Sequence, residues 1–305
     1  MFKENKYWEK IQDFLPEHNH VSEDCKPQEK WINCNGIDIR YDEYNPNTNS
    51  EISIVALHGV GGNGRLLSFI AVPLVKAGFH VICPDLPGYG YTKIDSCFDY
   101  STWIEVGTFM ANEELKKGRR LFIFGLSAGG MLAYNVTCNI KQVEGLIITN
   151  ILDNRYQMVR DFSAKNKFHS RIGIKFLKVL PDFIKKIEIP VKSVANTRTI
   201  VNQKELLKIM LKDKVGSGSS VSIKFLLSMM DMIPLKEPED FQICPVLMVH
   251  PEIDQWTPVK VSRLFFDRIK SEKKLIILEN AGHFPIESPG LQQLEKACIE
   301  FISNQ

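Results

Sequence analysis

Residues 121–130 read Leu121-Phe122-Ile123-Phe124-Gly125-Leu126-Ser127-Ala128-Gly129-Gly130, and a helical pattern continues over 128–140. A short apolar run of this kind is a strand buried on both faces. The G-x-S-x-G that closes it sets one serine on the turn between strand and helix. Such a turn strains the backbone of the serine, and bulky neighbours would hold strand and helix apart. Gly125, Gly129 and Gly130 meet that need. The amides that open the helix point partial positive charge at the same place. Ser127 is therefore the candidate nucleophile.

The same rhythm recurs on both sides of this turn. Ile52 to Leu57, Phe79 to Cys83, Gly145 to Thr149, Val246 to Val249 and Leu275 to Leu278 are short apolar runs. Helical patterns over 64–77, 101–117, 258–269 and 289–302 separate them. Strands alternating with helices predict an α/β fold, with a mostly parallel central sheet flanked by helices. Right-handed crossovers bring the C-terminal ends of the strands to one edge, where sites collect. From Thr149 to Val246 the interval is too long for one crossover. It holds helical patterns over 172–180, 206–211 and 223–232, and a stretch, Gly216 to Ser220, whose composition marks it as flexible. The expected organisation is a core formed by 1–150 and 241–305, with a helical cap inserted at 151–240. Within that core, 1–27 is an N-terminal extension. Its Tyr7, Trp8, Ile11, Phe14 and Leu15 recur at helical spacing over 2–15, as in a helix docked on its own domain. Trp31 to Cys34 and Ile37 to Tyr41 flank Asn35-Gly36, a hairpin signal.

The chain has 305 residues, 44% hydrophobic and 24% charged, which excludes disordered, collagen-like and coiled-coil classes. No apolar run approaches the ~20 residues of a membrane span, and the N-terminus carries no apolar signal region. Seven scattered cysteines without a Cys-x-x-Cys pair favour reduced thiols and a cytoplasmic location. The net charge is +2 but unevenly spread. Residues 151–240 hold 17 Lys and Arg against 10 Asp and Glu, while the rest hold 21 against 26. A basic block on an acidic body reads as a solvated helical face or as attraction to anionic lipid or an acidic substrate. No nucleic-acid motif accompanies it, so no nucleic-acid partner is expected; membrane contact is expected to be peripheral at most.

A serine nucleophile needs a base, and the base needs a carboxylate to orient it. His283 lies in Asn280-Ala281-Gly282-His283-Phe284-Pro285, just past the last strand, at the edge where Ser127 belongs. Asp254 follows the preceding strand in His250-Pro251-Glu252-Ile253-Asp254-Gln255-Trp256-Thr257-Pro258. Thr257 there suits a helix N-cap and Pro258 a first helical position. Glu252 is a neighbour of the same charge, and Asp153 is the rival acid after the Gly145 to Thr149 strand. Acyl transfer also needs two donors for the developing oxyanion. The glycines of Leu57-His58-Gly59-Val60-Gly61-Gly62 let an amide approach, so Val60 and Ala128 N–H are the candidate pair. His58 is expected to order this loop, and His250 to pack or hydrogen-bond.

The order Ser127, Asp254, His283, with the His58-Gly59 loop and Pro84-Asp85-Leu86-Pro87-Gly88-Tyr89-Gly90, resembles the α/β-hydrolase superfamily. It is similar in particular to the monoacylglycerol lipase and lysophospholipase-like serine carboxylesterases. The resemblance covers about 28–150 and 241–303. It implies ester hydrolysis through an acyl-enzyme, with no metal or organic cofactor, and a loop-ordering role for Asp85. His250-Pro251 departs from the glycine common after that strand. The apolar, Met-rich Ile223 to Ile233 suggests a lipid-like acyl substrate. Thioesterase, acyltransferase and C–C bond hydrolase chemistry use the same triad, and a small-molecule receptor on this fold is the non-enzymatic alternative.

Overall fold

Unbroken runs of β-branched and aromatic residues pair into a sheet that both faces bury. The computed structural model describes residues 2–45, 49–95, 98–140 and 142–305. Helix α1 (Lys6–Gln12) comes first, capped by Asn5, whose Oδ1 accepts the amides of Tyr7 and Trp8. The cap interrupts the helical pattern expected over 2–15, yet Trp8, Ile11 and Leu15 are buried against the body. Strands β1 (Gln28–Cys34) and β2 (Ile37–Tyr44) form the hairpin, with Asn35 at φ 50° and Gly36 at φ 87°. Positive φ at both turn residues is what a primed turn demands.

Alternation follows: β3 (Ile52–Leu57), α2 (Ser68–Lys76), β4 (His80–Pro84), α3 (Tyr100–Lys116), β5 (Arg120–Gly125), α4 (Ala128–Asn139) and β6 (Gly145–Ile148). The segment after β6 contains α5 (Gln157–Ser163), a π-helical turn His169–Gly173 running into α6 (Ile174–Lys178), and α7 (Asp182–Lys185). It continues with β7 (Glu188–Pro190), α8 (Val191–Val194), α9 (Lys204–Met210), β8 (Ser220–Ser222) and α10 (Ile223–Asp231). β7 and β8 pair as a separate antiparallel ribbon. The main sheet then resumes with β9 (Val246–Pro251), α11 (Val259–Phe266), β10 (Lys273–Leu278) and α12 (Gly290–Ser303).

The eight-stranded sheet runs β1-β2-β4-β3-β5-β6-β9-β10, with β1 and β2 antiparallel and the rest parallel. Successive residues face opposite layers. Leu121, Ile123, Leu146, Ile148 and Met248 join one core, with residues of α3, α4 and α11. Phe122, Phe124, Ile147, Leu247 and Val249 join the other, with residues of α2 and α12. Each such side chain, fully removed from water, stabilises the fold by ~1.5–3 kcal/mol. Registers pair Leu57 with Gly125 and Gly125 with Ile148. The three strand ends therefore stop level, and the loops after them leave side by side.

The inserted segment is fastened to this body through Phe225, whose ring lies 4.7 Å from Trp103 and 5.0 Å from Phe98. Gly216 to Ser220, expected to be flexible, is a packed turn. Ser217 is buried and its hydroxyl donates to Gly61 O at 3.2 Å.

Candidate active site

Ser127 has φ 58° and ψ −127°, a backbone conformation costly for any side-chain-bearing residue. Its neighbours hold it there. A Cβ on Gly125 would lie 2.2 Å from Gly129 O, so no other residue fits between strand and helix. The Ser127 amide donates to Thr149 Oγ1 at 3.1 Å, tying the turn to the end of β6.

The loop after β10 carries His283 to this turn. Ser127 Oγ donates to His283 Nε2 at 2.7 Å, and His283 Nδ1 donates to Asp254 Oδ2 at 2.8 Å. Both partners are buried. Asp254 also accepts the amides of Trp256 and Thr257 on Oδ1, at 2.9 and 2.7 Å. Burial alone would raise its pKa, but the charge and hydrogen bond of His283 and the Thr257 amide outweigh it. The carboxyl is held well below the usual carboxylate range and stays ionised.

Thr257 is not the cap of α11, whose N-cap position falls on Pro258. Its hydroxyl is engaged instead in donating to Asp254 Oδ2 at 2.8 Å and accepting from Asn150 Nδ2 at 2.9 Å. Thr149 and Asn150 thus hold the Ser127 turn and the Asp254 loop from one strand end. Sequence reasoning missed both; the only signal was a pair of polar residues ending an apolar strand. It also left Trp256 unassigned, although its ring packs 4.7 Å from that of His283.

Val60 and Ala128 flank Ser127 on the wall of one cavity. A Cβ on Gly59 would sit 2.9 Å from Ala128 N, so the loop lies directly against the helix start. Among the described residues neither amide has a protein acceptor. His58 does order this loop. Its Nδ1 donates to Gly59 O at 2.7 Å and its Nε2 accepts from Leu86 N at 2.9 Å, and burial pushes its pKa down to about 4.

The other candidates lie elsewhere. Asp153 forms a bidentate pair with Arg155, and Glu252 accepts the Asn280 amide. His250 contacts the carbonyls of Pro251 and Thr257, at the two ends of the acid loop, and burial lowers its pKa. Asp85 accepts the amides of Gly64 and Tyr91, and burial raises its pKa to about 6. Six cysteines are free thiols, and Cys97 lies outside the described residues. Among the described residues no group of three or more His, Cys, Asp or Glu is arranged to hold a metal.

Ser127 stands between two cavities. One of about 450 Å³ is lined by Met131, Met229, Met230, Met232 and Leu177, with Arg160 among its polar residues. Another of about 40 Å³ also touches Ser127 and is lined by His283, Gly59 and Phe284.

The family model described as serine aminopeptidase, S33, matches residues 48–287. The chain belongs to this family of hydrolases. No curated protein matches it in sequence. A soluble variant of monoglyceride lipase from Saccharomyces cerevisiae, in complex with a substrate analog, superposes with TM-score 0.75 at 17% identity. The match covers 93% of this chain and 97% of that one. The monoacylglycerol lipase of Paleococcus ferrophilus gives TM-score 0.67 at 20% identity, over 88% and 99%. A carboxyl esterase from Bacillus coagulans, bound to glycerol, gives 0.66 at 18%, over 91% and 98%. These likenesses fix the α/β-hydrolase fold.

Proposed function

We propose that the chain is a serine-dependent carboxylic ester hydrolase acting on lipid-like acyl esters, with residues 151–240 as its cap. The observation that carries this reading is the Ser127–His283–Asp254 relay, at 2.7 and 2.8 Å, opening on a large apolar cavity.

His283 takes the proton of Ser127 as Oγ attacks the ester carbonyl, and the oxyanion is received by the Val60 and Ala128 amides. Asp254 keeps the imidazole in the tautomer with Nδ1 protonated and stabilises the imidazolium. His283 then returns the proton to the departing alcohol, leaving an acyl group on Ser127. Water, activated by the same imidazole, attacks that ester and releases the acid. The 40 Å³ cavity beside His283 suits this water, and the 450 Å³ cavity suits the acyl chain. None of the steps uses a metal or organic cofactor.

The cavity wall favours esters over peptides with a free N-terminus. A bound ammonium group needs a carboxylate, and no Asp or Glu lines this cavity among the described residues. The monoglyceride lipase bound to a substrate analog and the esterase bound to glycerol agree with an acyl ester of an alcohol. A panel of p-nitrophenyl esters of increasing acyl length tests the reading. Turnover that rises from short to medium or long chains and disappears in Ser127→Ala is expected; equal turnover by wild type and Ser127→Ala overturns it.

A further inference from the structure

Trp256 stands two residues past Asp254, on the loop after β9. Its ring centroid lies 4.7 Å from that of His283, with the two ring planes 44° apart. Both side chains are buried. Two hydrogen bonds fix the residue there. Its amide donates to Asp254 Oδ1 at 2.9 Å, and its indole Nε1 donates at 3.0 Å to the carbonyl of Ser163, the last residue of α5. With Val60 and Ser127 it belongs to the walls of both cavities.

The hydrogen bonds of His283 leave this contact a role of its own. Nε2 meets Ser127 at 2.7 Å, and Nδ1 meets Asp254 Oδ2 at 2.8 Å and the Thr257 hydroxyl at 3.2 Å. Both nitrogens are engaged, so what Trp256 presents to the imidazole is a π-surface. An indole carries negative potential over its faces and attracts a cation within about 6 Å of its centroid, most strongly where water is excluded. The imidazole is neutral before reaction and becomes imidazolium as it takes the Ser127 proton. The attraction therefore grows with the charge. An interaction stronger in the transition state than in the ground state raises kcat and leaves KM. A ring held by bonds of its own also restricts the tilt of the imidazole, which keeps Nε2 aimed at Ser127.

We propose that Trp256 is a positioning residue for the reaction: it holds His283 against Asp254 and stabilises the imidazolium through its π-surface. Because Ser163 O grips the same indole, one side chain ties the end of α5 to the base. The proton transfer is common to any acyl transfer by Ser127; the ester substrate alone rests on the reading above.

Fluorinated tryptophans placed at position 256 by amber suppression test this, because fluorine drains the π-surface with little change of shape. From tryptophan through the mono-, di- and trifluoro forms, kcat is expected to fall roughly twofold or more with each fluorine, while KM stays within about twofold. Trp256→Leu, which removes the π-surface, should lose roughly tenfold or more in kcat. Trp256→Phe, which keeps an aromatic ring but loses the bond to Ser163 O, should fall less. A constant kcat along the fluorinated series overturns the role, as does a Trp256→Leu variant within about twofold of wild type. A series in which KM rises and kcat holds also overturns it, by assigning the ring to substrate binding. The rate at which a fluorophosphonate labels Ser127 reads the same proton transfer without an ester, and should fall in parallel. If labelling follows the series while wild type turns over no ester, the ester-hydrolase reading fails and the role of Trp256 stands.

Discussion

Strands β5 and β9 are buried along nearly every residue, whereas α6 and α7, in the inserted segment, bury none. The sheet body is a two-layer core that sets three loops level at one edge. The inserted segment buries part of itself against the body, Phe225, Leu206 and Met210 included, while α6 and α7 display apolar and basic side chains to the outside. A close-packed interior transmits small displacements, and helices whose side chains face solvent do not. The geometry around Ser127 therefore rests on the body, and the exposed apolar surface of α6 and α7 belongs to the insertion. Changes in the body should abolish turnover at constant substrate preference; changes in the insertion should move preference, binding or local stability at constant chemistry.

The largest effect expected of this contrast is at the acid. Asp254→Asn leaves the shape of the loop but removes the charge that orients His283, so kcat should fall by about 10⁴-fold in a protein with unchanged circular dichroism. A fall below tenfold would return the role of acid to another residue. Next comes Phe225→Ala, which empties the site against Trp103 that fastens α10. It should destabilise the insertion by ~3 kcal/mol, read as protease cleavage within 151–240 while the sheet body still resists. Uniform loss of stability across the whole chain would break the distinction between the two regions.

A smaller change is expected at Thr257. Thr257→Val removes one donor to Asp254 Oδ2 and leaves Asn150 Nδ2 without its acceptor. Roughly tenfold lower kcat with little change in KM should result, and Thr257→Ser should restore it. The pH profile is finer still. With Asp254 held well below its usual range, it keeps its charge from about pH 9 to about pH 5. Above about pH 5, Asp254 should therefore add no proton uptake of its own to the acid limb of the activity profile, which should fall with a slope of one. A slope of two would mean that the carboxylate titrates as well. Least of all, Phe183→Ser, at an exposed position on α7, should move global stability by no more than ~0.5 kcal/mol.

How far the sequence is legible follows the same division. The strand Leu121 to Phe124 with its Gly-Leu-Ser turn announces the elbow, because continuous burial and a steric bottleneck are local properties. Ile52 to Leu57 is recovered to the residue. The placing of His283 and Asp254 beside Ser127 follows from their positions after successive strands, since a parallel sheet puts such loops on one edge. Thr257 was misread because a threonine before a proline is a good helix start in isolation. Its actual partners, Asp254 and Asn150, include one 107 residues away. Gly216 to Ser220 was misread for a related reason. Small polar residues signal chain freedom, but here the turn packs against the loop at Gly61, 156 residues distant. Local chemistry is written in the sequence; which distant surface will quench it is not.

The central claim is that Ser127 is an activated nucleophile made so by His283. Mass spectrometry of the protein after brief exposure to a fluorophosphonate probe measures this directly. One adduct per chain on the peptide carrying Ser127, formed promptly by wild type and lost in His283→Ala, is the expected result. An unlabelled Ser127 in folded wild-type protein, or equal labelling in His283→Ala, would contradict it.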